Sequence, residues 1–87
     1  MSIARKAQAG TMQSSDLMVF VEPAGELVIE IESTVKRQFE HLIRTKVEEV
    51  LRAEGVKSGR VRLNDRGALD YAIQARLETA LARAEAE

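Results

Sequence analysis

The sequence predicts an α/β fold of the α+β kind: a small two-layer sandwich in which a mixed β-sheet carries two helices on one face, in the order β-β-α-β-α. Three observations carry this reading. Apolar residues alternate with charged ones in two short stretches, they recur at helical spacing in two longer ones, and Gly, Pro, Asn and Asp punctuate the joins. Residues 17–21, Leu-Met-Val-Phe-Val, are apolar without interruption and stop at Glu22-Pro23-Ala24-Gly25, as expected of a strand covered on both faces. Leu27, Ile29 and Ile31 then alternate with Glu26, Glu30 and Glu32, the signature of a strand buried on one side. The two strands read as a β-hairpin around Pro23 and Gly25. Ser33 or Thr34 is placed to cap a helix whose apolar stripe is Val35, Phe39, Leu42, Ile43, Val47, Val50 and Leu51, with Gly55 as its left-handed stop. Val61 and Leu63 alternate with Arg60, Arg62 and Asn64 in a third strand, and Asn64-Asp65-Arg66-Gly67 supplies a turn. A second helix has the stripe Leu69, Ala72, Ile73, Leu77, Ala80 and Leu81. The helical crossover between the second and third strands makes their pairing parallel. Residues 1–16 read as an irregular or edge-strand segment, and residues 80–87 as a tail that frays.

Length and composition limit what such a fold can do. The 87 residues fit one domain, whose thin core buries little more than half of the unfolded surface and leaves no room for a large internal active site. There is no cysteine and only one histidine, so disulfides and common structural zinc sites are excluded. Thirteen basic residues against 14 acidic ones give a net charge of −1, and only Phe20, Phe39 and Tyr71 are aromatic. Neither the field nor the stacking surface for nucleic acid is expected. No stretch resembles a signal peptide or a membrane span, which makes a cytoplasmic protein the expectation.

The candidate chemistry is sparse. His41 lacks a nucleophile and an orienting carboxylate in any supporting pattern and reads as a surface histidine. Glu22, Glu26, Glu30 and Glu32 recur with strand alternation, as do Arg60 and Arg62, so cross-strand ion pairs explain them more simply than a metal or acid/base cluster. Lys57, Arg60, Arg62 and Arg66 form a basic run. It suits phosphates of a nucleotide-like group, an acidic patch on a partner, or simply a solvated strand face and turn. Ser14-Ser15-Asp16 reads by composition as a turn, and neither serine has a histidine to activate it. A serine that merely accepts a prosthetic group from a modifying enzyme needs only exposure on an uncluttered segment, which the small neighbours Ala9, Gly10 and Ser15 provide.

Three stretches carry a resemblance to a known family. They are Ala9-Gly10-Thr11-Met12-Gln13-Ser14-Ser15-Asp16-Leu17-Met18; Ser33-Thr34-Val35-Lys36-Arg37-Gln38-Phe39 leading to Ile43-Arg44-Thr45; and Asp65-Arg66-Gly67-Ala68-Leu69-Asp70 with Ala75-Arg76-Leu77-Glu78 and Leu81-Ala82-Arg83-Ala84. In this order they resemble the acyl carrier protein, or gamma subunit, of citrate lyase over nearly the whole chain. The resemblance implies that Ser14 bears a phosphoribosyl-dephospho-coenzyme A group through a phosphodiester. The thiol of its pantetheine arm would hold acetyl and citryl thioesters. It implies partners as well: a large (alpha) transferase subunit that exchanges acetyl for citrate, a lyase (beta) subunit that cleaves citryl thioester to oxaloacetate and acetyl thioester, and an enzyme that installs the group. The carrier would contribute no catalytic side chain, and the sulfur that this cysteine-free chain lacks would belong to the cofactor.

One departure is visible. The family usually has glycine after the modified serine, where this chain has Ser15; a positive φ at that position would strain serine and leaves attachment at Ser15 open. Carriers of malonate decarboxylase and citramalate lyase are neighbouring alternatives, the first fitting the Ala-Gly-Thr lead-in and the Gly67-Ala68-Leu69-Asp70 turn less well. A cofactor-free interaction domain, using the hairpin edge or the charged third strand, is the alternative from another class.

Overall fold

In the computed structural model, which describes residues 2–34 and 37–85, four strands form one mixed sheet: β1 (Ala7–Gly10), β2 (Leu17–Glu22), β3 (Leu27–Ser33) and β4 (Gly59–Asp65). Helix α1 (Glu40–Ala53), entered through a 3-10 turn at Arg37–Phe39, lies between β3 and β4 in sequence, and α2 (Asp70–Ala84) follows β4. The order along the chain is thus β-β-β-α-β-α, the edge strand β1 preceding the expected elements. Alternation along β4 puts Val61, Leu63 and Asp65 on the helix side, fully or almost fully buried, and Arg60 and Arg62 on the other.

The sheet order is β1-β2-β4-β3, with β4 antiparallel to β2 and parallel to β3. The expected hairpin between residues 17–21 and 27–32 therefore does not form. The chain reverses at Pro23–Glu26, yet β4 enters between the two strands, its Gly59 N–H donating to the Glu26 carbonyl at 3.1 Å. Charge explains the preference. Pairing β2 with β3 would leave Glu22 and Glu30 without a cation between them, whereas Arg60 of β4 now bonds to Glu30 on β3 and, at 3.3 Å, to Glu22 on β2. The hairpin that does form joins β1 to β2, Gln8 opposite Phe20 and Gly10 opposite Met18.

Both helices lie on one face. α2 packs on β1 and β2, α1 lies against β3 and α2, and Leu17, Val19, Val21, Ile43, Val47, Leu51, Ile73, Leu77 and Leu81 fill the space between. The opposite face is open. Met18 and Phe20 of β2 are half-buried there, so β2 is covered on one face rather than two.

The helix termini differ in part from expectation. Neither Ser33 nor Thr34 caps α1: Ser33 belongs to β3, and Phe39 stands at the N-cap without a side-chain bond. Val35 lies outside the described residues. Leu42 sits about 100° round the helix from Ile43 and is exposed, and the tighter 3-10 winding turns Phe39 outward. Leu69, just before α2, is exposed as well. At the other end Gly55 has φ 69°, and the Gly55 and Val56 N–H groups donate to the Arg52 and Leu51 carbonyls at 3.1 and 2.9 Å, a complete Schellman stop. Part of the segment expected to fray is packed against the rest of the chain. Ala80, Leu81 and Ala84 are buried, and the Ala84 carbonyl accepts from Ala4 N–H at 2.9 Å, so contacts with the N-terminal segment hold the last turn. Ala86 and Glu87 lie outside the described residues. None of the described helices is long and apolar enough to cross a membrane.

Leu77→Ala is expected to cost about 2–5 kcal/mol in urea unfolding, because its fully buried side chain leaves a cavity against the sheet. Leu42→Ala is expected to change stability by less than about 0.5 kcal/mol, because its side chain meets solvent.

Candidate functional site

The connection from β1 to β2 carries Ser14. It opens at Gly10, whose φ of 102° and proximity to Leu17 admit no side chain: a Cβ would stand 1.9 Å from the Leu17 carbonyl oxygen. That carbonyl accepts from Thr11 N–H at 3.1 Å and closes the turn. Within it, Gln13 N–H reaches the Thr11 hydroxyl at 3.3 Å, and Asp16 N–H reaches the Gln13 carbonyl at 3.2 Å. Ser14 and Ser15 are exposed at its tip.

Asp16 organises this loop. Its carboxylate accepts from the Thr11 hydroxyl at 2.6 Å, from its neighbour's amide, Leu17 N–H, at 2.8 Å, and from Arg76 of α2 through Nε at 3.1 Å and a terminal nitrogen at 2.8 Å. The two-pronged arginine contact fixes orientation as well as distance. Arg76, followed by the Thr11 hydroxyl, pulls the Asp16 carboxyl down from 3.8 to about 2. A second tie comes from the chain after β4. Ser15 N–H donates to the Arg66 carbonyl at 2.8 Å, and Arg66 N–H returns the bond to the Asp16 carbonyl at 2.9 Å.

Asp65, 1% exposed, steadies that neighbouring segment. Its carboxylate accepts from the Ser33 hydroxyl at 2.8 Å and from Gly67 and Ala68 N–H at 3.2 and 3.0 Å, so the expected turn at residues 64–67 is tied to the end of β3. Ser15 has φ 66°, the only positive φ on a non-glycine among the described residues. A glycine would adopt it freely.

The sheet end holding this loop is also where α1 and α2 begin, because each helix follows the C-terminal end of a strand, β3 and β4, whose partner β2 starts there. Phe39, Leu42, Leu69 and Tyr71 at these helix starts, and Met12 in the loop, are exposed. An apolar rim thus shares one end of the molecule with Ser14.

The four cations of the basic run are not one cluster. Lys57 stands before β4, near the end of α1. Arg60 and Arg62 lie on the open sheet face, and Arg66 adjoins Ser15. The expected cross-strand ion pairs are present, with Arg60 between Glu22 and Glu30, and Arg60 holds the Glu30 carboxyl below its ordinary range. His41 is exposed, its Nδ1 bonded to the Gln38 carbonyl at 2.9 Å. Sequence reasoning anticipated side-chain hydrogen bonds in the Ser-Ser-Asp turn but not Arg76, which lies 60 residues away and reaches the loop only through the packing of α2. Nor did it find Phe20 on an open face, since the uninterrupted run of residues 17–21 concealed which side of β2 the helices cover.

Comparison with known proteins places this geometry in a family. A family model described as the malonate decarboxylase delta subunit (MdcD) matches residues 4–84. The citrate lyase acyl carrier protein of Cronobacter sakazakii is 53% identical over 97% of this chain and 88% of its own length, and that of Halothermothrix orenii is 47% identical over 97% and 90%. A chain in the crystal structure of a Pseudomonas malonate decarboxylase hetero-tetramer in complex with malonate shares the fold. Its TM-score is 0.82 at 21% identity, over 95% of this chain and 87% of that one.

Asp16→Asn is expected to lower stability by about 1–2 kcal/mol at neutral pH, an ion-pair loss discounted for partial exposure. Because the folded carboxyl titrates below the unfolded one, this contribution is complete above 3.8 and disappears as pH falls through about 2. Unfolding curves of the two proteins should therefore converge in acid. Ser15→Gly is expected to raise stability by up to about 1 kcal/mol by relieving the left-handed backbone.

Proposed function

The chain belongs to the family of citrate lyase acyl carrier proteins, and from that premise we propose that it is the acyl carrier subunit of a citrate lyase, with Ser14 the attachment point of a phosphoribosyl-dephospho-coenzyme A arm. The observation that carries the reading is an exposed serine on a loop fixed from both sides, by Asp16 on Arg76 and by the paired backbone bonds to Arg66. When bound, such an arm supplies a thiol that carries acetyl and citryl groups. Everything else falls to the side chains and backbone already described.

Ser14 offers a hydroxyl to the installing enzyme without activating it. The resemblance places glycine where this chain has Ser15, and the φ of 66° at Ser15 is a conformation that glycine adopts freely, which supports Ser14 rather than Ser15 as the esterified residue. Arg66 would face the attachment phosphate, being exposed and bonded through its backbone to Ser15 and Asp16. Phe39, Leu42, Leu69, Tyr71 and Met12 would meet the transferase and lyase subunits, so that docking brings the serine to each active site. A tether anchored on a fixed loop keeps the acyl group at high effective concentration for both. Identities of 47–53% with citrate lyase carriers, against 21% with the malonate decarboxylase chain, support the citrate-type complex.

Co-production with the installing enzyme tests the attachment site. Ser14→Ala is expected to abolish the mass gain, while Ser15→Ala keeps most of it. Tandem mass spectra placing the group on Ser15 would overturn the assignment.

A further inference from the structure

Apart from the loop, the open face of the sheet is a built surface that the carrier role leaves unexplained. Strand register arranges its side chains in rows. Gln8, Phe20, Arg62 and Glu30 lie across β1, β2, β4 and β3; the next row holds Glu22, Arg60 and Val28; the row nearest the loop is Gly10, Met18, Asn64 and Glu32. Between the first two rows is a groove of about 440 Å³ whose lining includes Lys6, Gln8, Phe20, Glu22, Arg60 and Arg62. That volume is within the roughly 300–1,000 Å³ typical of small-molecule sites. Lys6, Arg60 and Arg62 line it with Glu22, and Glu30 lies across from Arg62 at its edge, which leaves one cation more than carboxylates.

The groove combines stacking with uncommitted charge. The Arg62 guanidinium lies 4.8 Å from the centre of the Phe20 ring, and Arg62 forms no ion pair among the described residues. Its outer face is a planar cationic surface of the kind that stacks on an aromatic base. Arg60 is held between Glu22 and Glu30, while Lys6, with an 82% exposed side chain, makes only a long 3.8 Å contact with Glu22. Lys6 and Arg62 therefore remain available to phosphate, and Gln8 can donate to or accept from a base edge.

We propose that this groove binds a purine ring carrying a diphosphate, the base stacked on the Arg62–Phe20 pair and the phosphates on Lys6 and Arg62. Two sources share this chemistry: the nucleotide portion of the chain's own arm, or a free nucleotide. The tethered version rests on the Ser14 reading and is sterically direct. Gln8 lies two residues from the loop along β1 and Phe20 three along β2, about 7 and 10 Å. The nucleotide is also the part of the arm nearest the serine, so seating it here would leave the pantetheine free to extend.

The experiment is a titration of the ¹⁵N-labelled, unmodified chain with ADP, followed by amide and arginine side-chain shifts, with inorganic pyrophosphate as a second probe. Because no modification is required, the outcome is independent of whether Ser14 is the attachment site. ADP is expected to shift Gln8, Phe20, Arg60 and Arg62, and pyrophosphate to bind more weakly. Arg62→Gln and Phe20→Leu should each weaken ADP binding about tenfold, a loss of one stacking or charged contact, with the fold intact by chemical-shift dispersion. Absence of ADP shifts on this face, or unchanged binding by both folded variants, would overturn the proposal. Repeating the titration on the modified chain separates the sources. Resonances already displaced, with ADP excluded, assign the groove to the arm; binding equal to that of the unmodified chain assigns it to a free nucleotide.

Discussion

β4 is the strand on which the other elements depend, because it joins the β1-β2 hairpin to β3. Its inward side chains Val61 and Leu63 are fully buried at the centre of the core, while Arg60 on its outward side joins Glu22 of β2 to Glu30 of β3. At its end, Asp65 collects the Ser33 hydroxyl and the two amides of the following turn, and the next residue, Arg66, exchanges backbone bonds with the loop that holds Ser14. Packing, charge and the position of the functional loop thus meet in eight consecutive residues. Removing β4 would leave Glu22 and Glu30 without Arg60 between them and the Ser14 loop without its backbone tie to Arg66.

From that arrangement comes a division of the surface. The helices occupy one face of a thin sandwich, and its apolar burial lies between them and the inward side chains of the sheet, the only core a cysteine-free chain of this size can build. The end where strands β3 and β4 give way to helices is left with the Ser14 loop and exposed apolar residues. The second sheet face keeps a sparse lattice of charges around Phe20. On the proposed reading a carrier has use for such asymmetry: the attachment serine and the exposed apolar residues share one end, and the packed helix layer supports them.

Much of the fold was legible because local chemistry decides it. Alternation placed β3 and β4, helical spacing placed α1 and α2, Gly55 stopped α1, and the crossover rule gave the parallel pairing of β3 with β4. The position of β4 between β2 and β3 was not read, since the Pro23–Gly25 reversal fits adjacent strands as well as strands two places apart. The signal that could have decided it was the charge pattern, Glu on both candidate partners and Arg on the third strand. In the candidate site, the Ser-Ser-Asp turn followed from residue types and the strain at Ser15 from the family resemblance, but the Arg76 clasp depends on how α2 lies across the sheet. Phe39 and Leu42 were assigned to the core stripe of α1 because apolar identity alone does not tell an exposed residue from a buried one.

On the proposed reading the chain is a pedestal for imported chemistry, its own residues supplying position, support and partner contacts. The intact mass of the chain isolated from its native source within an active complex tests this most directly. The account predicts one covalent phosphoribosyl-dephospho-coenzyme A group on each copy. An unmodified mass in a complex that still cleaves citrate would contradict it.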